Sequence, residues 1–220
     1  MGLFSVTEAR AIGLLLTGGR GSRFDASGHR DKLLAMYAGA PVAVQAARHL
    51  VAACGSVFAV LPANKPRLLA LLQAEGCETL PTDRTQLGMG HSIAHGVARI
   101  SERCAPAPLV VALGDMPAVK PDTIRTLIRL AGDDPNSIVA PGYRGRRGHP
   151  VVFGPAHWPA LTQLAGDRGA FALLERHRPT VLEVNDPGVL QDIDTEDDLG
   201  ADAGHGNMDR RRDTPDAHQP

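Results

Sequence analysis

Cysteine is scarce in this chain: its 220 residues include Cys54, Cys77 and Cys104, and no two of them form a C-x-x-C pair. An odd number of cysteines without metal-ligand spacing argues against a disulfide framework and against a zinc site. The pattern is typical of reduced thiols, and we therefore expect a cytoplasmic protein.

Aromatic residues and net charge are equally low. Phe, Trp and Tyr make up 4% of the chain, and 23 Lys and Arg nearly balance 24 Asp and Glu. Few aromatics exclude a base-stacking platform, and a balanced charge excludes bulk electrostatic binding to nucleic acid or to an anionic membrane. No apolar run is long enough for a transmembrane helix, and the first residues show no pattern of a secretory signal.

Short apolar runs alternate with longer stretches of helical spacing. The runs predict buried strands at 11–16, 56–61, 108–113 and 137–140, and the spacing predicts helices at 42–53, 66–75, 91–103 and 121–131. This alternation is typical of an α/β fold with a mostly parallel central sheet and helices on both faces.

The rhythm changes after residue 141. The basic, glycine-rich segment YRGRRGH precedes a short strand PVVF, a helix over 168–177 and two further strands in TVLEV and VLQDI. We expect this part to form a smaller lobe that faces a second substrate. Residues 1–199 then make one domain, and 200–220 form a disordered tail because they contain almost no large apolar residue.

A glycine-rich loop, LLLTGGRGSRF, follows the first predicted strand. Glycines let backbone N–H groups approach an anion, and Arg20, Arg23, Arg30 and Lys32 add cations nearby. The spacing fits neither the G-x-x-x-x-G-K-[ST] loop nor the G-x-G-x-x-G fingerprint. The loop is therefore either a triphosphate cradle of another kind or a plain turn with solvated arginines.

Two acidic motifs predict a Mg²⁺ site. Asp115 in LGDMP follows a buried strand, where ligands of open α/β sheets bind, although it is equally able simply to end that strand. In QDIDTEDDL, Asp192 and Asp194 lie on the same side of a strand, and we expect Asp192 to complete the site with Asp115. Glu196, Asp197 and Asp198 are interpreted as a plain helix start.

The motifs together, in their order along the chain, resemble a known family. LLLTGGRGSRF, DKLLA, TQLGMGHSI, LGDMP, RGRRGHPVVF, GDRGAFALL and DIDTEDDL are similar to the segments of the MobA-like nucleotidyltransferases, most closely the molybdenum cofactor cytidylyltransferase group. The resemblance covers about residues 11–199. It implies a Rossmann-like nucleotidyltransferase domain that uses Mg²⁺ to transfer CMP or GMP from an NTP to the phosphate of a molybdopterin acceptor, with release of pyrophosphate.

The resemblance also implies roles for individual residues. Those implied to bind the nucleotide are Leu16, Thr17, Gly18, Gly19, Gly21, Arg23, Lys32, Gly90 and Ser92. Those implied to bind the acceptor are Arg147, Gly148, His149, Pro150 and Asp167. Arg23, Lys32 and Asp115 are implied to act in catalysis, and Asp115 and Asp192 to hold the metal.

The sequence leaves several alternatives open. Thr17-Gly18-Gly19 leans toward GTP, whereas LGDMP and GHPVVF lean toward CTP. The segment DASGHRD is longer than expected for the family and leaves either Lys32 or Arg30 as the cation after the loop. The acceptor is a molybdopterin or another phosphate such as a sugar phosphate. A non-catalytic cofactor carrier is the alternative to an enzyme, and a molybdoenzyme or its maturation chaperone is the expected protein partner.

Overall fold

The computed structural model of the protein describes residues 11–18, 24–25 and 30–204. Its first half is the predicted alternation of strands and helices. The elements are β1 (Ile12–Leu16), β2 (Met36–Tyr37), β3 (Ala40–Pro41), α1 (Val42–Val51), β4 (Ser56–Leu61), α2 (Pro66–Ala74), β5 (Glu78–Pro81), α3 (Met89–Ser101), β6 (Leu109–Leu113) and α4 (Pro121–Ala131). The strand β5 and the small β2–β3 hairpin are additions to the elements that the sequence predicts.

The second half returns to the same sheet. Its elements are β7 (Ile138–Tyr143), β8 (Arg146–Arg147), β9 (Val151–Phe153), α5 (Trp158–Leu161), α6 (Phe171–Arg176) and β10 (Thr180–Glu183). The predicted strand in VLQDI is wrong: a 3-10 helix, Pro187–Leu190, is followed by extended chain that joins no sheet. A further 3-10 helix, Asp197–Gly204, includes the first residues of the predicted tail, and 205–220 lie outside the described residues.

Within the described residues, seven strands form the path β10-β7-β9-β6-β1-β4-β5, and β8 pairs with β7. The pairs β1–β4, β1–β6, β4–β5 and β7–β10 are parallel, whereas β9 is antiparallel to both of its neighbours. The predicted fold class is therefore confirmed, and the chain after residue 141 widens the sheet beside β6.

Side chains alternate between two apolar layers because successive strand residues point to opposite faces. Leu15 of β1 packs with α1, α2 and α4, while Leu14 and Leu16 pack with α3, α5 and α6. All five residues of β1 are buried, which explains its unbroken apolar sequence. Among the described residues, no helix is long and apolar enough to cross a membrane.

The order of the strands places a crevice beside β1. From β1 the chain continues to β4 on one side, whereas β6 pairs with β1 on the other side and leads away from it. Loops that leave neighbouring parallel strands in opposite directions leave a crevice at the carboxyl edge of the sheet, where ligands of such folds bind.

Candidate active site

The residues that follow β1 and β6 meet at this edge. Leu16 pairs with Leu113, and the Gly114 N–H donates to the Leu16 carbonyl at 2.8 Å. A Cβ at Gly114 would lie 2.7 Å from Cγ2 of Thr17, so a glycine is required for the two loops to come this close. This contact brings Asp115, the next residue, beside the loop that begins at Thr17.

Lys32 bridges two carboxylates at the same edge. Its Nζ donates to Oδ2 of Asp115 at 2.7 Å and to Oδ1 of Asp194 at 3.1 Å. The lysine side chain is 11% exposed, against 24% for Asp115 and 34% for Asp194. Lys32 therefore lies beneath two carboxylates that open toward solvent, in an arrangement called here the Lys32 cluster.

The backbone beside Lys32 is fixed by its neighbours. Lys32 begins the 3-10 helix Lys32–Leu34, whose first turn is capped because Oδ1 of Asp31 accepts from the Leu33 N–H at 3.1 Å. The other oxygen of Asp31 accepts from Nζ of Lys65 at 2.6 Å, immediately before α2. This capping and pairing hold the start of the Lys32 side chain in place while its ammonium group reaches the carboxylates.

The ammonium group of Lys32 keeps its charge. Desolvation on burial acts to lower the pKa of Lys32, but the charge of Asp115 and the hydrogen bonds to Asp115 and Asp194 outweigh it, so that the pKa lies above its ordinary value. A buried cation between two carboxylates is stable because each charge has a partner. Before any ligand binds, the cluster therefore holds one ammonium group in contact with two carboxylates.

The structure pairs Asp115 with Asp194 and not with Asp192, which is the partner that the sequence predicts. The Ile193 N–H donates to the Asp115 carbonyl at 2.9 Å and the Ile193 side chain is buried, so the two aspartates flank the point of attachment. Asp192 instead lines a separate hollow of about 260 Å³ beside Tyr37 and Pro117. Metal ligation by Asp192 stays a prediction.

Asp198 fixes the backbone around Asp194. Its Oδ2 accepts from the N–H groups of Asp194 and Thr195 at 2.9 and 2.7 Å and from the Thr195 hydroxyl at 2.8 Å. These bonds, led by that from the Thr195 hydroxyl, lower the pKa of Asp198. Asp198, interpreted from sequence as an ordinary helix start, therefore positions the turn that carries Asp194.

A cleft of about 320 Å³ opens beside the Lys32 cluster and includes Asp115 in its wall. Its other lining residues come from the ends of β1 and β6, from the 3-10 helix Asp83–Leu87 and the start of α3 that follows it, and from the loop before α6. They are Leu16, Gly18, Thr85, Gln86, Gly88, Met89, Ser92, Leu113 and Asp167. The structure thus brings together the predicted nucleotide residues Leu16, Gly18 and Ser92. It adds Thr85 and Gln86, which lie in the motif TQLGMGHSI but were not predicted as site residues.

The start of α3 requires glycines for close packing. Gly88 has φ +113°, and a Cβ there would lie 2.4 Å from Oδ1 of Asp167 and 2.6 Å from the Gly166 carbonyl carbon and oxygen. A Cβ at Gly90 would lie 2.6 Å from the Ala165 carbonyl oxygen, and the Gly90 N–H donates to the Gly166 carbonyl at 2.8 Å. Gly90 therefore joins α3 to the 165–169 loop and is absent from the residues that line the cleft.

Asp167 lines this cleft, whereas the other predicted acceptor residues, 147–150, do not. Acceptor binding by Asp167 stays a prediction. Its loop is held by His91, whose Nδ1 accepts from the Gly166 N–H at 3.0 Å. Sequence motifs do not report contacts between residues 75 positions apart. Neither this contact of His91 nor the position of Asp167 could therefore be predicted from the sequence.

Several other predicted residues have plain placements. Thr17 is 1% exposed and its hydroxyl donates to the Val60 carbonyl at 2.9 Å, so its side chain fastens β1 to β4. Arg30 forms an ion pair with Glu196, which leaves Lys32 as the cation next to Asp115. Gly19, Gly21 and Arg23 lie outside the described residues.

The acceptor segment predicted from RGRRGHPVVF lies on the β7–β8 hairpin and the chain that follows it. Arg144, Arg146 and Arg147 are exposed, and the guanidinium carbon of Arg144 lies 5.2 Å from the ring centre of Tyr143. The Gly148 N–H donates to the Pro141 carbonyl at 2.8 Å, which ties the segment to β7. This surface presents positive charge to solvent.

His149 follows that surface along the chain and is partly buried. Its backbone N–H donates to the Val189 carbonyl at 2.9 Å, and its Nδ1 is buried with no hydrogen-bond partner among the described residues. Burial lowers the pKa of His149, an effect that Arg147 increases and that the charges of Asp115 and Asp192 oppose. Because the pKa lies below its ordinary value, His149 is neutral around pH 7.

The cysteines take no part in this site. Burial raises the pKa of the Cys54 thiol to about 12, and burial together with the charge of Glu75 raises that of Cys77 to about 11. Neither thiol is a nucleophile at neutral pH, because the thiolate is the reactive form.

The donor set of the Lys32 cluster fits a hard divalent cation. Carboxylate oxygens are the protein ligands that Mg²⁺ prefers, and Mg²⁺ uses one or two of them together with water and substrate phosphates. Asp115 and Asp194 supply two, and the described residues contain no group of three or more His, Cys, Asp or Glu arranged for a metal. The site therefore suits a metal that is shared with a bound phosphate chain.

Comparison with known proteins identifies the family. The sequence matches the MobA-like NTP transferase domain over residues 13–181, and the chain belongs to that family. This confirms the resemblance drawn from the motifs. An NTP is the substrate that the family implies.

Individual relatives carry different names. The chain is 30% identical over 195 residues to nicotine blue oxidoreductase of Paenarthrobacter nicotinovorans, covering 83% of this chain and 91% of that protein. It is 35% identical over 111 residues to the purine catabolism protein PucB of Bacillus subtilis, a match that spans 49% of this chain and only 52% of PucB.

Solved structures support the fold. Rv0371c of Mycobacterium tuberculosis superposes with a TM-score of 0.74 at 26% identity, covering 89% of this chain and 97% of that one. A complex of Rv0371c with manganese gives a TM-score of 0.69 at 25% identity, covering 87% and 97% of the two chains. A related protein therefore binds a divalent metal.

Proposed function

We propose that this protein transfers a nucleoside monophosphate from CTP or GTP to the phosphate of a molybdopterin-type acceptor that carries molybdenum. The reaction needs a divalent cation, Mg²⁺ or Mn²⁺, and releases pyrophosphate. The observation that carries the proposal is the Lys32 cluster, in which Asp115 and Asp194 share one ammonium group at the wall of the glycine-lined cleft.

The cleft has the parts that a nucleotide requires. Gly18 lines the cleft without a side chain that would cover its backbone, while Thr85, Gln86 and Ser92 offer hydrogen-bonding groups for a nucleoside. With the triphosphate directed toward Asp115, the nucleoside lies toward Gly88 and Asp167. The nucleotide is CTP or GTP in this proposal, because no contact of the described residues selects between cytosine and guanine.

The proposed reaction is an in-line displacement. An oxygen of the acceptor phosphate attacks the α-phosphorus and forms a new P–O bond, and the bond to the β-phosphate oxygen breaks as pyrophosphate leaves with its electron pair. The acceptor oxygen is already anionic near pH 7, so no strong general base is needed. Catalysis of this kind consists mainly of positioning and of neutralising charge.

Protein residues divide this work. Lys32 neutralises negative charge on the phosphate chain, together with Arg23 of the preceding loop, and Asp115 and Asp194 are the proposed metal ligands. A divalent cation held there supplies positive charge to the reacting and leaving phosphates. The exposed arginines at 144, 146 and 147 attract the anionic acceptor, and the Gly148–Pro150 segment places it near Asp115.

Pyrophosphate release tests the proposal. Protein, Mg²⁺ or Mn²⁺ and molybdenum-loaded molybdopterin are incubated separately with CTP, GTP, UTP and ATP, and parallel reactions replace the acceptor by a sugar phosphate. We expect release with CTP or GTP only, and only with the molybdopterin acceptor. Release with the sugar phosphate alone identifies the other acceptor class, whereas tight molybdopterin binding without release from any NTP identifies a cofactor carrier.

A physical partner is part of the same proposal. The product is a bulky anionic cofactor, and delivery to a molybdoenzyme or to its maturation chaperone avoids its release into solvent. Copurification of a tagged wild-type protein with such a partner, compared with the Asp115→Asn variant, tests this step.

An oxidoreductase is the second candidate, and the name of the relative nicotine blue oxidoreductase is the observation that favours it. The loop after β1 has Phe24 where a dinucleotide fingerprint has its third glycine, which disfavours binding of a nicotinamide cofactor. Reduced nicotinamide cofactor with a quinoid dye tests it by absorbance, and we expect no oxidation above that of a protein-free control.

A further inference from the structure

Two cations compete for one position in the Lys32 cluster. The ammonium group of Lys32 lies 2.7 Å from Asp115 and 3.1 Å from Asp194, the carboxylates that suit a divalent metal. A Mg²⁺ ion binds carboxylate oxygens at about 2.0–2.1 Å. A metal between these two oxygens therefore enters the space that the ammonium group fills and meets its positive charge.

The backbone of Lys32 is held in place independently of the contacts of its ammonium group. Asp31 caps the turn and pairs with Lys65, so the backbone at Lys32 stays in place whichever partner the ammonium group has. The carboxylates are its partners in the described structure, and Asp115 also lines the cleft. A phosphate chain in that cleft offers the ammonium group other anionic oxygens.

We propose that, without nucleotide, the ammonium group of Lys32 occupies the position between Asp115 and Asp194, and that the divalent metal binds there only together with the triphosphate. The phosphate oxygens then become the partners of the ammonium group. This inference rests on the proposed function for the identity of the triphosphate. The nucleotide-free part concerns only this chain and the metal. Binding is then ordered, because the metal alone is opposed by Lys32 and the metal–nucleotide complex is not.

The first test measures Mn²⁺ binding without nucleotide, by electron paramagnetic resonance of the free ion. Wild-type protein should bind weakly, and Lys32→Met should bind at least about tenfold more tightly, because it removes a competing cation. Lys120→Met is the matched control: it removes an exposed lysine immediately before α4 and should bind Mn²⁺ like wild type. Asp115→Asn should lower Mn²⁺ affinity in the wild-type and in the Lys32→Met background.

The second test adds a CTP or GTP analogue with a non-cleavable bond between the α- and β-phosphates. Because the analogue binds Mn²⁺ by itself, its effect is measured against the same concentration of analogue without protein. Beyond that control, the analogue should tighten Mn²⁺ binding to wild type by about tenfold or more and should have much less effect on Lys32→Met. No acceptor and no turnover are needed, so a wrong acceptor in the proposed function leaves this result intact.

A third readout separates competition from misfolding. In EDTA, the melting temperature of Lys32→Met should fall below that of wild type, since two carboxylates lose their shared cation, and Mn²⁺ should restore it. Lys32→Gln serves as a milder variant because its uncharged amide is still a hydrogen-bond donor, and circular dichroism checks the fold of each protein.

The proposal is overturned if Lys32→Met and Lys32→Gln bind Mn²⁺ without nucleotide no more tightly than wild type. It is also overturned if wild type and analogue together bind no more Mn²⁺ than the two bind separately. Failure of the proposed function has a different signature: no pyrophosphate release from any NTP, with the nucleotide-free order of Mn²⁺ affinities unchanged.

Discussion

The predicted nucleotide side of the site and its predicted acceptor side hold their charges in different ways. On the nucleotide side, Lys32 is 11% exposed and shares its charge with two carboxylates. On the acceptor side, the arginines at 144, 146 and 147 face solvent on a hairpin. Partly buried, paired charges cost much when one partner is removed, whereas exposed charges act at a distance and are screened by salt.

The difference suits two tasks. A reacting triphosphate needs cations and ligands fixed before it arrives, because positioning is most of the catalysis. An acceptor that must enter and leave needs attraction without tight enclosure. We therefore expect mutations on the nucleotide side to lower kcat and mutations on the acceptor side to raise the KM for the acceptor.

Asp115→Asn should have the largest effect. The variant keeps the shape of the side chain but removes one of the two negative charges that pair with Lys32. It also removes one proposed metal ligand. We expect kcat to fall about 100- to 1,000-fold, or by 3–4 kcal/mol of barrier, in the pyrophosphate assay. Acceptor binding should largely survive.

Asp122→Asn is the control for this variant, because Asp122 is an exposed aspartate on α4 that pairs with Arg125. It should keep full activity. Turnover retained by Asp115→Asn would remove the Lys32 cluster from the mechanism and favour a carrier.

Two glycine variants compare backbone demands on the two sides. Gly88 has φ +113° with Asp167 and Gly166 in contact range, whereas Gly145, in the β7–β8 hairpin, has φ +73° and open space around it. Gly145→Ala meets only backbone strain, costing about 1 kcal/mol, and Gly88→Ala adds a steric clash, for a total of roughly 3 kcal/mol.

Thermal unfolding measures both variants. Gly88→Ala should also raise the KM for the nucleotide, and Gly145→Ala should leave it unchanged. Equal losses of stability in the two variants would show that the 165–169 loop moves to accommodate the new methyl group at low cost. That loop would then not determine the shape of the cleft.

Replacing Arg144, Arg146 and Arg147 together by Gln should raise the KM for the anionic acceptor about tenfold, in line with about 0.5–1 kcal/mol per screened contact to an anion. The KM for the NTP and kcat at saturation should change little. The wild-type KM for the acceptor should rise with salt, and that of the variant should not.

Arg129→Gln, an exposed change on α4, is the control for this set. If the triple variant instead raises the KM for the NTP, then the hairpin faces the nucleotide and the assignment of the two sides is reversed.

The pH dependence of stability should give the smallest effect. Burial lowers the pKa of His149 in the folded protein, so the unfolded chain binds the proton more readily. The stability that a neutral His149 contributes is present above the unfolded pKa of about 6.5 and is lost as pH falls below it. Melting temperatures of wild type should drop between pH 7.5 and 5, and those of His149→Gln should drop less.

His95→Gln provides a comparison, because burial, followed by the charges of Arg84 and Arg99, also lowers the pKa of His95. His95 lies on α3, away from the acceptor segment, so its replacement should change stability without changing the KM for the acceptor. An identical pH response in wild type and His149→Gln would contradict the buried, neutral state of His149.

The fold was predictable to a large extent. The helices α1, α2 and α4 lie within a few residues of their predicted ranges, and β1, β4, β6 and β7 begin within one residue of theirs. Such elements are recorded locally, in continuous apolar runs and helical spacing. Short strands such as β5, β2 and β3 were missed because they have little apolar pattern and depend on their neighbours.

The candidate site was predictable in its parts and not in its assembly. Gly18, Ser92, Lys32 and Asp115 were identified and lie at the cleft or its cluster. Thr17 and Gly90 make packing contacts, and Asp167 lines the same cleft as Gly18 and Ser92, while the binding roles of all three stay predictions. Their motifs show that they matter to the local backbone, but not which neighbour each one contacts.

The sequence by itself determined an alternating α/β architecture, a glycine loop after β1, an aspartate after β6 and a second acidic motif near residue 194. Only the tertiary structure decided which aspartate meets Lys32. A period of two places Asp192 and Asp194 on the same side of an extended chain, so local pattern cannot choose between them. The choice depends on where the chain is attached, and the hydrogen bond from Ile193 to Asp115, between residues distant in sequence, fixes it with Asp194 against the ammonium group.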